Sequence, residues 1–501
     1  MCKFEDITKN YNVGSMIGFG TYGDVYKVNH VVTNESYAMK ISYINDNFIN
    51  PIILREISNI IKYKHPNIIK LQNVNVGLFN TRKCVYLILD ICDYSLFDVT
   101  KKDIDDVLNF TEIIDAVTYL HKNNYYHGDI SFGNVLVTNQ KLKLIDFGTT
   151  QRSYRKYDPS LSPYSNKELE TINHNKSFIG MRTDFLGIGS IIYKFLTGKF
   201  LTDIFSEIDI GKRIIEIYKN TSITVKNKKI LVGLLNQRKK SKYILNSIRK
   251  NCLNYLNDGT TIECKRVNIF NVCDQTKFNM ILFLNNLIIE NNLEDEILYQ
   301  VINNSKKIKI NDQKKINSKY ITTFYLVLFW LANKIISLKI MSFGNIRTIV
   351  TCLGLDILEF TGLYYFAIKE LNWNIDQSNL YNYVLYFTGT MQSYYKGIIL
   401  FLEMTNYVEY KITDGFMSLY YIFKKNHNFY SSEIEKIIKD MDYGKRDIKK
   451  TICNGISRIK KHIRKIAFDK QYDKINNFVK HYFRINNIYN IYIWILDIGN
   501  N

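Results

Sequence analysis

The stretch Ile17-Gly-Phe-Gly-Thr-Tyr-Gly-Asp-Val25 decides the fold, because its glycines connect two segments that read as strands. Gly18, Gly20 and Gly23 form a G-x-G-x-x-G pattern, which is weak evidence alone since dinucleotide-binding proteins share it. A dinucleotide-binding fold places a helix directly after the glycines and an acidic residue about 20 residues later. Here Asp24-Val-Tyr-Lys-Val28 alternates polar and apolar residues, as a strand does. We therefore expect a glycine hairpin that covers the phosphates of a nucleotide.

A lysine and a glutamate follow the hairpin in an order that favours an ion pair. Lys40 lies near the end of the predicted strand Tyr37–Ile41. Glu56 lies on a predicted helix that begins at Pro51, a residue suited to a first helical turn. Such a glutamate orients the lysine so that its ammonium group meets the α- and β-phosphates. Either residue alone would be interpreted as a surface charge, but their distance from the glycines favours the pair.

Two polar motifs further along the chain supply the other parts of a phosphoryl-transfer site. They are His127-Gly-Asp-Ile-Ser-Phe-Gly-Asn134 and Asp146-Phe-Gly148. Asp129 is suited to accept the proton of a substrate hydroxyl, and Asn134 and Asp146 are suited to hold Mg²⁺ through oxygen atoms. Asp-Phe-Gly occurs by chance in many proteins, but it is specific when the first motif precedes it at this spacing.

These motifs resemble those of eukaryotic protein kinases over roughly residues 11 to 250, and most closely those of the cyclin-dependent kinase branch. Asn50-Pro-Ile-Ile-Leu-Arg-Glu-Ile-Ser58, followed by His65-Pro-Asn-Ile-Ile-Lys-Leu71, resembles that branch's cyclin-binding helix and the turn after it. The resemblance implies a two-lobed α+β kinase fold with ATP and Mg²⁺ as cofactors. It also implies transfer of the γ-phosphate to Ser or Thr hydroxyls of protein substrates.

The resemblance assigns roles to individual residues. The expected catalytic residues are Asp129, Lys40 and Glu56, and the expected metal ligands are Asn134 and Asp146. ATP is expected to contact four parts of the chain: the glycine loop, the lysine strand, the linker after strand Lys83–Asp90 and the strand after Asn134. The residues expected to make these contacts are Ile17, Gly18, Gly20, Thr21, Tyr22, Gly23, Val25, Ala38, Lys40, Leu89, Asp90, Cys92 and Leu136. Residues expected to support the site are His127, Phe147, Gly148, Glu168 and Asp184. The helix face expected to meet a cyclin carries Pro51, Leu54 and Arg55.

Two positions depart from the pattern of the family. Gly128 stands where many kinases have an arginine that grips an activation-loop phosphate, which argues against that mode of switching. Ser131 stands where a lysine usually neutralises the γ-phosphate, and the loss of this cation is expected to slow the chemistry. Thr21 and Tyr22 occupy positions of inhibitory phosphorylation in this branch, or they are simply loop residues.

The second half of the chain reads as helix after helix. Ile321–Ala332 is its most apolar stretch, and we interpret it as a buried core helix because it is too short to span a bilayer. Asn345–Phe360 resembles the central buried helix of a cyclin box, and Tyr365–Ile375 resembles its closing helix. Segments between residues 397 and 443 resemble a second cyclin repeat in order. Each match is mostly apolar spacing, so a generic helical domain is the alternative.

The predicted architecture is therefore a two-lobed kinase followed by an all-α domain with two cyclin-box-like repeats. The kinase domain covers residues 1–250 and a linker covers 251–280. The helical domain covers 281–501, with repeats at roughly 281–376 and 377–465 and then a helical tail. We expect this domain to be an intramolecular partner that activates the kinase.

Composition limits the other classes of function. The net charge of +20 is compatible with nucleic-acid binding, but the lysines are spread along the whole chain, which favours a solvated surface. The eight cysteines form no C-x-x-C pair and no signal peptide is seen, so we expect a reducing compartment, cytoplasmic or nuclear, and no secretion or membrane insertion. The high content of Ile, Asn, Lys and Tyr would suit an AT-rich genome, such as that of a large DNA virus or a protist parasite.

Three alternatives stay open at this point. Gly128 and Ser131 are compatible with a pseudokinase that serves as a scaffold. His127-Gly-Asp129 followed by Asn134 is also the pattern of small-molecule phosphotransferases such as aminoglycoside kinases. The basic charge is compatible with a nucleic-acid-binding adaptor, whose affinity would fall with salt.

Overall fold

The computed structural model describes residues 4–98, 110–152, 176–198, 207–235, 274–308 and 317–382, except positions 21, 46, 222, 338, 339, 378 and 380. The chain divides into two compact units, Met1–Ile248 and Arg249–Asn501. Four predictions lie outside the described residues: the role of Thr21, the Glu168 motif, the second cyclin-like repeat and the helical tail after it.

The first unit opens with a six-stranded sheet in the order β1-β5-β6-β4-β3-β2. The short edge strand β1 runs parallel to β5, and all other neighbours are antiparallel. The strands are β1 (Glu5–Asp6), β2 (Tyr11–Gly20), β3 (Gly23–His30), β4 (Ser36–Tyr43), β5 (Leu71–Phe79) and β6 (Arg82–Asp90). The alternation of side chains along β4 buries Met39 and Ile41 completely.

The glycine stretch forms the predicted hairpin between β2 and β3. Gly18 pairs with Val25, and Gly20 pairs with Gly23 across the turn. A Cβ atom at Gly23 would overlap the carbonyl oxygen of Ile41 on the next strand, so this position accepts no larger side chain without a shift of the backbone. The close approach of β4 therefore explains one of the three glycines.

The predicted helix after the lysine strand is α1 (Pro51–Ile60). The side chain of Asn50 caps it by accepting a hydrogen bond from the backbone N–H of Ile52 at 2.9 Å, and Pro51 fills the first turn. At its other end, the Asn59 side chain donates to the carbonyl oxygens of Phe147 at 3.2 Å and Thr150 at 2.8 Å. These bonds tie α1 to the segment that carries the Asp-Phe-Gly motif.

The rest of the first unit is mainly helical, with two small sheets. One sheet has the order β10-β9-β7 and the other pairs β11 with β8. The elements are β7 (Tyr94–Ser95), α2 (Phe110–Lys122), β8 (Tyr125–Tyr126), β9 (Val135–Thr138), β10 (Lys141–Leu144), β11 (Gln151–Arg152), α3 (Lys176–Thr197), α4 (Glu207–Lys219) and α5 (Val225–Leu235). Two single 3₁₀ turns, Leu96–Asp98 and Phe132–Asn134, precede α2 and β9. One apolar core joins these elements, with Leu120, Val135, Leu144 and Ile192 fully buried.

The described part of the second unit consists of helices. They are α6 (Asp274–Glu290), α7 (Glu296–Lys307), α8 (Ser318–Ile336), α9 (Phe343–Cys352) and α10 (Ile357–Glu370). Helix α8 packs against α6, α7 and α10 and is buried from Thr323 to Ile336. The apolar stretch predicted to be a core helix is therefore the central helix of this unit. No helix in the described ranges is long and apolar enough to cross a membrane.

Two predicted helices in the second half are wrong. Asn345–Phe360 is not one buried helix, because α9 ends at Cys352, Gly354 has a φ of +62° and Asp356 caps α10. The predicted closing helix, Tyr365–Ile375, is the end of α10 followed by a turn. Helix α6 begins at Asp274, inside the range 251–280 that was predicted as a linker, and its apolar residues pack into the core of the unit.

Candidate active site

Lys40 on β4 and Glu56 on α1 form a bidentate ion pair. The Lys40 Nζ atom lies 2.8 Å from Glu56 Oε1 and 2.7 Å from Oε2. The two side chains are only 13% and 4% exposed, so this pair is shielded from solvent and salt. The pairing that the sequence predicts is therefore present, and it fixes α1 against the sheet.

The surroundings of the ion pair control its protonation. Burial by itself would lower the pKa of Lys40, but the carboxylates of Glu56 and Asp146 outweigh it and raise this pKa. Burial raises the pKa of Glu56, and Lys40 opposes that rise. Lys40 is thus held as a cation near Asp146, where a phosphate group would meet it.

Asp129 and Asn134 are joined at the turn before β9. The Asn134 Nδ2 atom donates to the Asp129 backbone oxygen and to Asp129 Oδ2, both at 2.9 Å. Asp129 Oδ1 is buried and has no hydrogen-bond partner among the described residues. Burial raises the pKa of Asp129, with opposing effects from His127 and Asn134 and a further increase from Asp146. This oxygen is therefore available to accept the proton of a hydroxyl group.

The Asp-Phe-Gly motif adopts a constrained conformation. Asp146 has a φ of +61°, which is uncommon for a residue with a side chain, and its Oδ1 accepts the N–H of Gly148 at 3.1 Å. Phe147 is fully buried, and its ring contacts those of His127 and Tyr63 at centroid distances of 5.1 and 5.8 Å. Packing of Phe147 thus holds Asp146 at the site, on the side of Lys40.

A buried aspartate on α3 holds the catalytic loop. Asp184 Oδ1 accepts the N–H of Gly128, and its Oδ2 accepts the N–H of His127, each at 2.8 Å. The ring of His127 donates from Nε2 to the Ile145 oxygen at 3.0 Å, and its Nδ1 accepts from the N–H of Asp129 at 3.3 Å. The predicted supporting residues Asp184 and His127 therefore lie together behind Asp129.

His121 was not predicted from the sequence. Its Nε2 lies 2.8 Å from Asp184 Oδ2, and its ring packs edge-on against Phe185. A lone histidine at the end of α2 carries no signal by itself. It could be found only once Asp184 had been placed as a buried carboxylate with a need for partners.

Gly128 is explained by its backbone conformation. Its φ is +86°, and a Cβ atom would lie 3.2 Å from the Thr149 oxygen and 3.3 Å from the ring of Tyr126. Glycine adopts this conformation with little strain, whereas a residue with a Cβ atom is strained in it. The departure from the family pattern therefore fits the backbone of this loop. Ser131 begins the Phe132–Asn134 turn without a capping bond from its side chain.

The predicted ATP-binding residues line the hairpin, β4, the end of β6 and β9. Val25 pairs with Lys40, Ala38 pairs with Leu89, and Leu136 pairs with Ser95. Ile17 and Tyr22 in the glycine loop are 49% and 38% exposed. These positions leave the apolar side chains of the hairpin accessible beside the ion pair.

The linker after β6 was predicted to meet an adenine through its backbone. The N–H of Asp90 already donates to the Lys70 oxygen at 3.1 Å, so the contacts would have to come from neighbouring backbone groups. Burial raises the pKa of the Cys92 thiol to about 11, so this residue is protonated at neutral pH. Cys92 therefore has no thiolate chemistry to offer at this site.

The site suits a metal ion that is shared with phosphate groups. Asp146 and Asn134 offer hard oxygen donors, as Mg²⁺ prefers. No cluster of three His, Cys, Asp or Glu side chains able to hold a metal occurs in the described ranges. Asp146 and Asn134 would hold the ion from one side, and the phosphates of a nucleotide would supply further oxygen ligands.

Comparison with known proteins agrees with this geometry. The protein kinase domain model matches residues 11–258. The chain is 33% identical over 200 residues to a probable cell division protein kinase of Encephalitozoon cuniculi, covering 37% of this chain and 71% of that protein. The chain therefore belongs to the protein kinase family.

Other relatives are matched over a smaller part of their length. A protein of Acanthamoeba polyphaga mimivirus, named as a serine/threonine-protein kinase, is 31% identical over 161 residues, which is 30% of this chain and 25% of that protein. Cyclin-dependent kinase F-3 of Oryza sativa is 32% identical over 149 residues, which is 28% of this chain and 33% of that protein. This chain thus spans a quarter to a third of these two relatives.

Proposed function

We propose that this protein is a serine/threonine kinase of the cyclin-dependent kinase type, which transfers the γ-phosphate of Mg-ATP to hydroxyls of protein substrates. The observation that carries the proposal is the Lys40–Glu56 ion pair, formed at 2.7 Å beside Asp146. This pair is needed for phosphate positioning and not for folding a scaffold. The relatives whose names say serine/threonine-protein kinase support the same reaction class.

Each polar residue has a distinct task in the transfer. Lys40 binds the α- and β-phosphates, and Glu56 orients its ammonium group. Asn134 and Asp146 hold the metal, which when bound neutralises charge on the phosphates. Asp129 accepts the proton of the substrate hydroxyl through its unpaired Oδ1 and positions that oxygen for in-line attack. The buried Asp184 keeps the loop fixed during the reaction.

The two departures from the family pattern have separate consequences. Without a cation at Ser131, stabilisation of the transferring phosphoryl group falls on Lys40 and the metal, so we expect a modest turnover number. Without an arginine at Gly128, we expect activity that does not depend on a phosphate gripped at that position. We propose a cytoplasmic or nuclear location, which the scattered cysteines without a C-x-x-C pair support.

The helical second unit is proposed to activate the kinase as a cyclin-like domain of the same chain. What supports this proposal is that the described helices of the second unit pack around the buried apolar helix α8, as expected for a helical domain of this kind. A tethered activator would act at an effective concentration on the order of millimolar for a short flexible linker.

The deciding experiment measures phosphate transfer from labelled ATP to a general protein substrate. The intact chain is compared with Asp146→Asn and with residues 1–250, and nucleotide binding is measured for all three. Transfer by the intact chain alone supports both the kinase and its activation in cis. Equal transfer by residues 1–250 would dismiss activation by the second unit and leave the kinase.

The same assay separates the rival functions. Gly128 and Ser131 are compatible with a pseudokinase. Binding of ATP without phosphate transfer to any acceptor would establish that function. Transfer to aminoglycosides or sugars, with none to protein, would instead indicate a small-molecule phosphotransferase. Tight nucleic-acid binding that weakens steeply with salt would favour the adaptor.

A further inference from the structure

Two phenylalanine side chains meet at the surface beside the catalytic loop. Phe97 is 65% exposed, and its ring packs edge-on against that of Phe132 with a centroid distance of 6.0 Å. Phe132 is half-buried and belongs to the turn that follows Ser131. An exposed aromatic side chain of this size is costly to leave in water, and here it has a second aromatic ring beside it.

The aromatic pair is held in place by the backbone. Strand β7 pairs with β9 through Tyr94 with Val137 and Ser95 with Leu136, so the two turns that carry the rings lie side by side. The N–H of Phe97 also donates to Ser95 Oγ at 3.2 Å. The pair is thus a preformed apolar surface, and little ordering is needed when a ligand binds it.

The pair lies within reach of a substrate at Asp129. Three peptide units separate Asp129 from Phe132, so their Cα atoms are within about 11 Å of each other. An extended substrate segment of three or four residues spans that distance. Next to Phe132, a Cβ atom on Gly133 would meet nothing within 4 Å, so there is open space over this turn.

The ammonium group of a lysine lies near both rings of this surface. The Lys194 Nζ atom lies 4.9 Å from the ring centroid of Phe97 and 4.7 Å from that of Phe132. A basic substrate side chain that approached the rings would be repelled by this ammonium group. An apolar side chain would be accepted, because it covers the exposed ring without meeting a like charge.

We propose that Phe97 and Phe132 bind a large apolar side chain of the protein substrate, within about four residues of the hydroxyl that is phosphorylated. The inference rests on the proposed function, because it places the hydroxyl at Asp129. It defines a substrate class: segments with Leu, Ile, Met or Phe near the Ser or Thr, and without Arg or Lys at that same position.

The test uses the full chain with Mg-ATP and peptides that contain one phosphorylatable residue. Each of the four positions on either side is Ala, Leu, Phe, Glu or Arg in turn. At one position, Leu or Phe should raise kcat/KM roughly five- to tenfold over Ala, as burial of an apolar side chain predicts. The peptide with Arg at that position should have a lower kcat/KM than the peptide with Ala there.

For each variant, the quantity compared is the kcat/KM of the Leu or Phe peptide divided by the kcat/KM of the Ala peptide, both measured with the same protein. Phe97→Ala and Phe132→Ala should reduce this ratio to about twofold or less. Lys194→Met should relieve the penalty on the Arg peptide. Tyr218→Ala, an aromatic residue on α4 that is 56% exposed, is the matched control and should keep the full ratio.

Two results would overturn the inference while leaving the kinase intact. One is peptide phosphorylation by the native chain without an apolar preference at any position. The other is a preference that persists in both phenylalanine variants. If no peptide or protein is phosphorylated at all, the proposed function and this inference fail together.

Discussion

Asp184 fixes the backbone of Gly128: its Oδ1 accepts the N–H of that glycine at 2.8 Å in a fully buried setting. The other oxygen of the same carboxylate accepts the N–H of His127 and the Nε2–H of His121. One carboxylate therefore satisfies three donors from two segments of the chain. The geometry of the catalytic loop depends on this charge, since hydrogen bonds to an ionised carboxylate are stronger than those between neutral groups.

Replacement of Asp184 by Asn should loosen the loop without removing any group that contacts substrate. The amide offers one oxygen for three donors and brings its own N–H groups against them. We expect a loss of stability of about 2 to 4 kcal/mol and a fall in kcat larger than the rise in KM for ATP. Thermal unfolding and steady-state kinetics measure both. Asp115→Asn on the exposed side of α2 is the control, and an equal effect there would contradict the role of Asp184.

Replacement of Gly128 by Ala tests the strain in the same loop. The φ of +86° penalises any residue with a Cβ atom, and this atom would also press on the Thr149 oxygen at 3.2 Å. The expected loss of stability is about 1 to 2 kcal/mol, with lower activity. Gly133→Ala is the matched control in the same loop, because its Cβ would meet nothing within 4 Å. Equal unfolding temperatures for the two variants would show that the conformation of Gly128 carries no cost.

The Lys40–Glu56 pair should behave as one unit in a double-mutant cycle. Lys40→Met and Glu56→Gln are each expected to lower kcat/KM on the order of a hundredfold, because the first removes the cation and the second removes the carboxylate that positions it. The double variant should be little worse than either single one, since the pair is already broken. Lys27→Met, at an exposed position on β3, is the control for loss of a strand lysine. Additive effects of the two changes would separate the roles of Lys40 and Glu56.

The sequence was sufficient for the parts of the site that depend on short patterns. The glycine hairpin, α1 and the Lys40–Glu56 pair follow from local strand alternation and from a cap and proline at a helix start. His121 could not be found, because its partner Asp184 is distant in sequence and only tertiary packing brings them together. The helix boundaries near Gly354 were missed because apolar spacing looks alike on either side of a turn.

Asp129 should show a trade-off between activity and stability. Burial raises its pKa above the ordinary value of 3.8, so the folded protein holds this proton more tightly than the unfolded chain does. The stability that this proton brings is present at low pH and is lost as the pH rises through the raised pKa. At neutral pH the ionised carboxylate therefore costs stability, and its acid limb in the pH profile of kcat/KM should lie above 3.8.

Asp129→Asn removes this cost together with the base. We expect phosphate transfer to fall on the order of a hundredfold or more while nucleotide binding persists. The unfolding temperature at pH 7 should rise, and the gain over the native chain should shrink as the pH is lowered. Calorimetry at several pH values measures this. A lower unfolding temperature at every pH would mean that Asp129 supports the fold, contrary to the effect of its burial.

Lys334 in the second unit should make the stability of the protein rise with pH, whereas Asp129 makes it fall. Burial lowers its pKa from 10.5 to about 7, although its ammonium group lies 3.9 Å from the ring centroid of Trp330 and 5.4 Å from that of Tyr364. Between pH 7 and 10 the unfolded chain therefore binds more protons at this residue than the folded protein does. The free energy of unfolding should rise with pH in this window, by at most about 1.4 kcal/mol per pH unit. The aromatic rings favour the charged form and make the slope smaller.

Lys334→Met isolates that contribution, because methionine keeps most of the apolar stem and removes the charge. The variant should be more stable than the native chain at pH 7, and the two should converge as the pH approaches 10. Urea unfolding can be followed by tryptophan fluorescence, which reports on this unit alone because Trp330, Trp373 and Trp494 all belong to it. Lys369→Met, at an exposed position on α10, should show no such convergence. A constant difference between native chain and Lys334→Met across this range would mean that Lys334 stays protonated in the folded protein, held by its aromatic neighbours against the effect of burial.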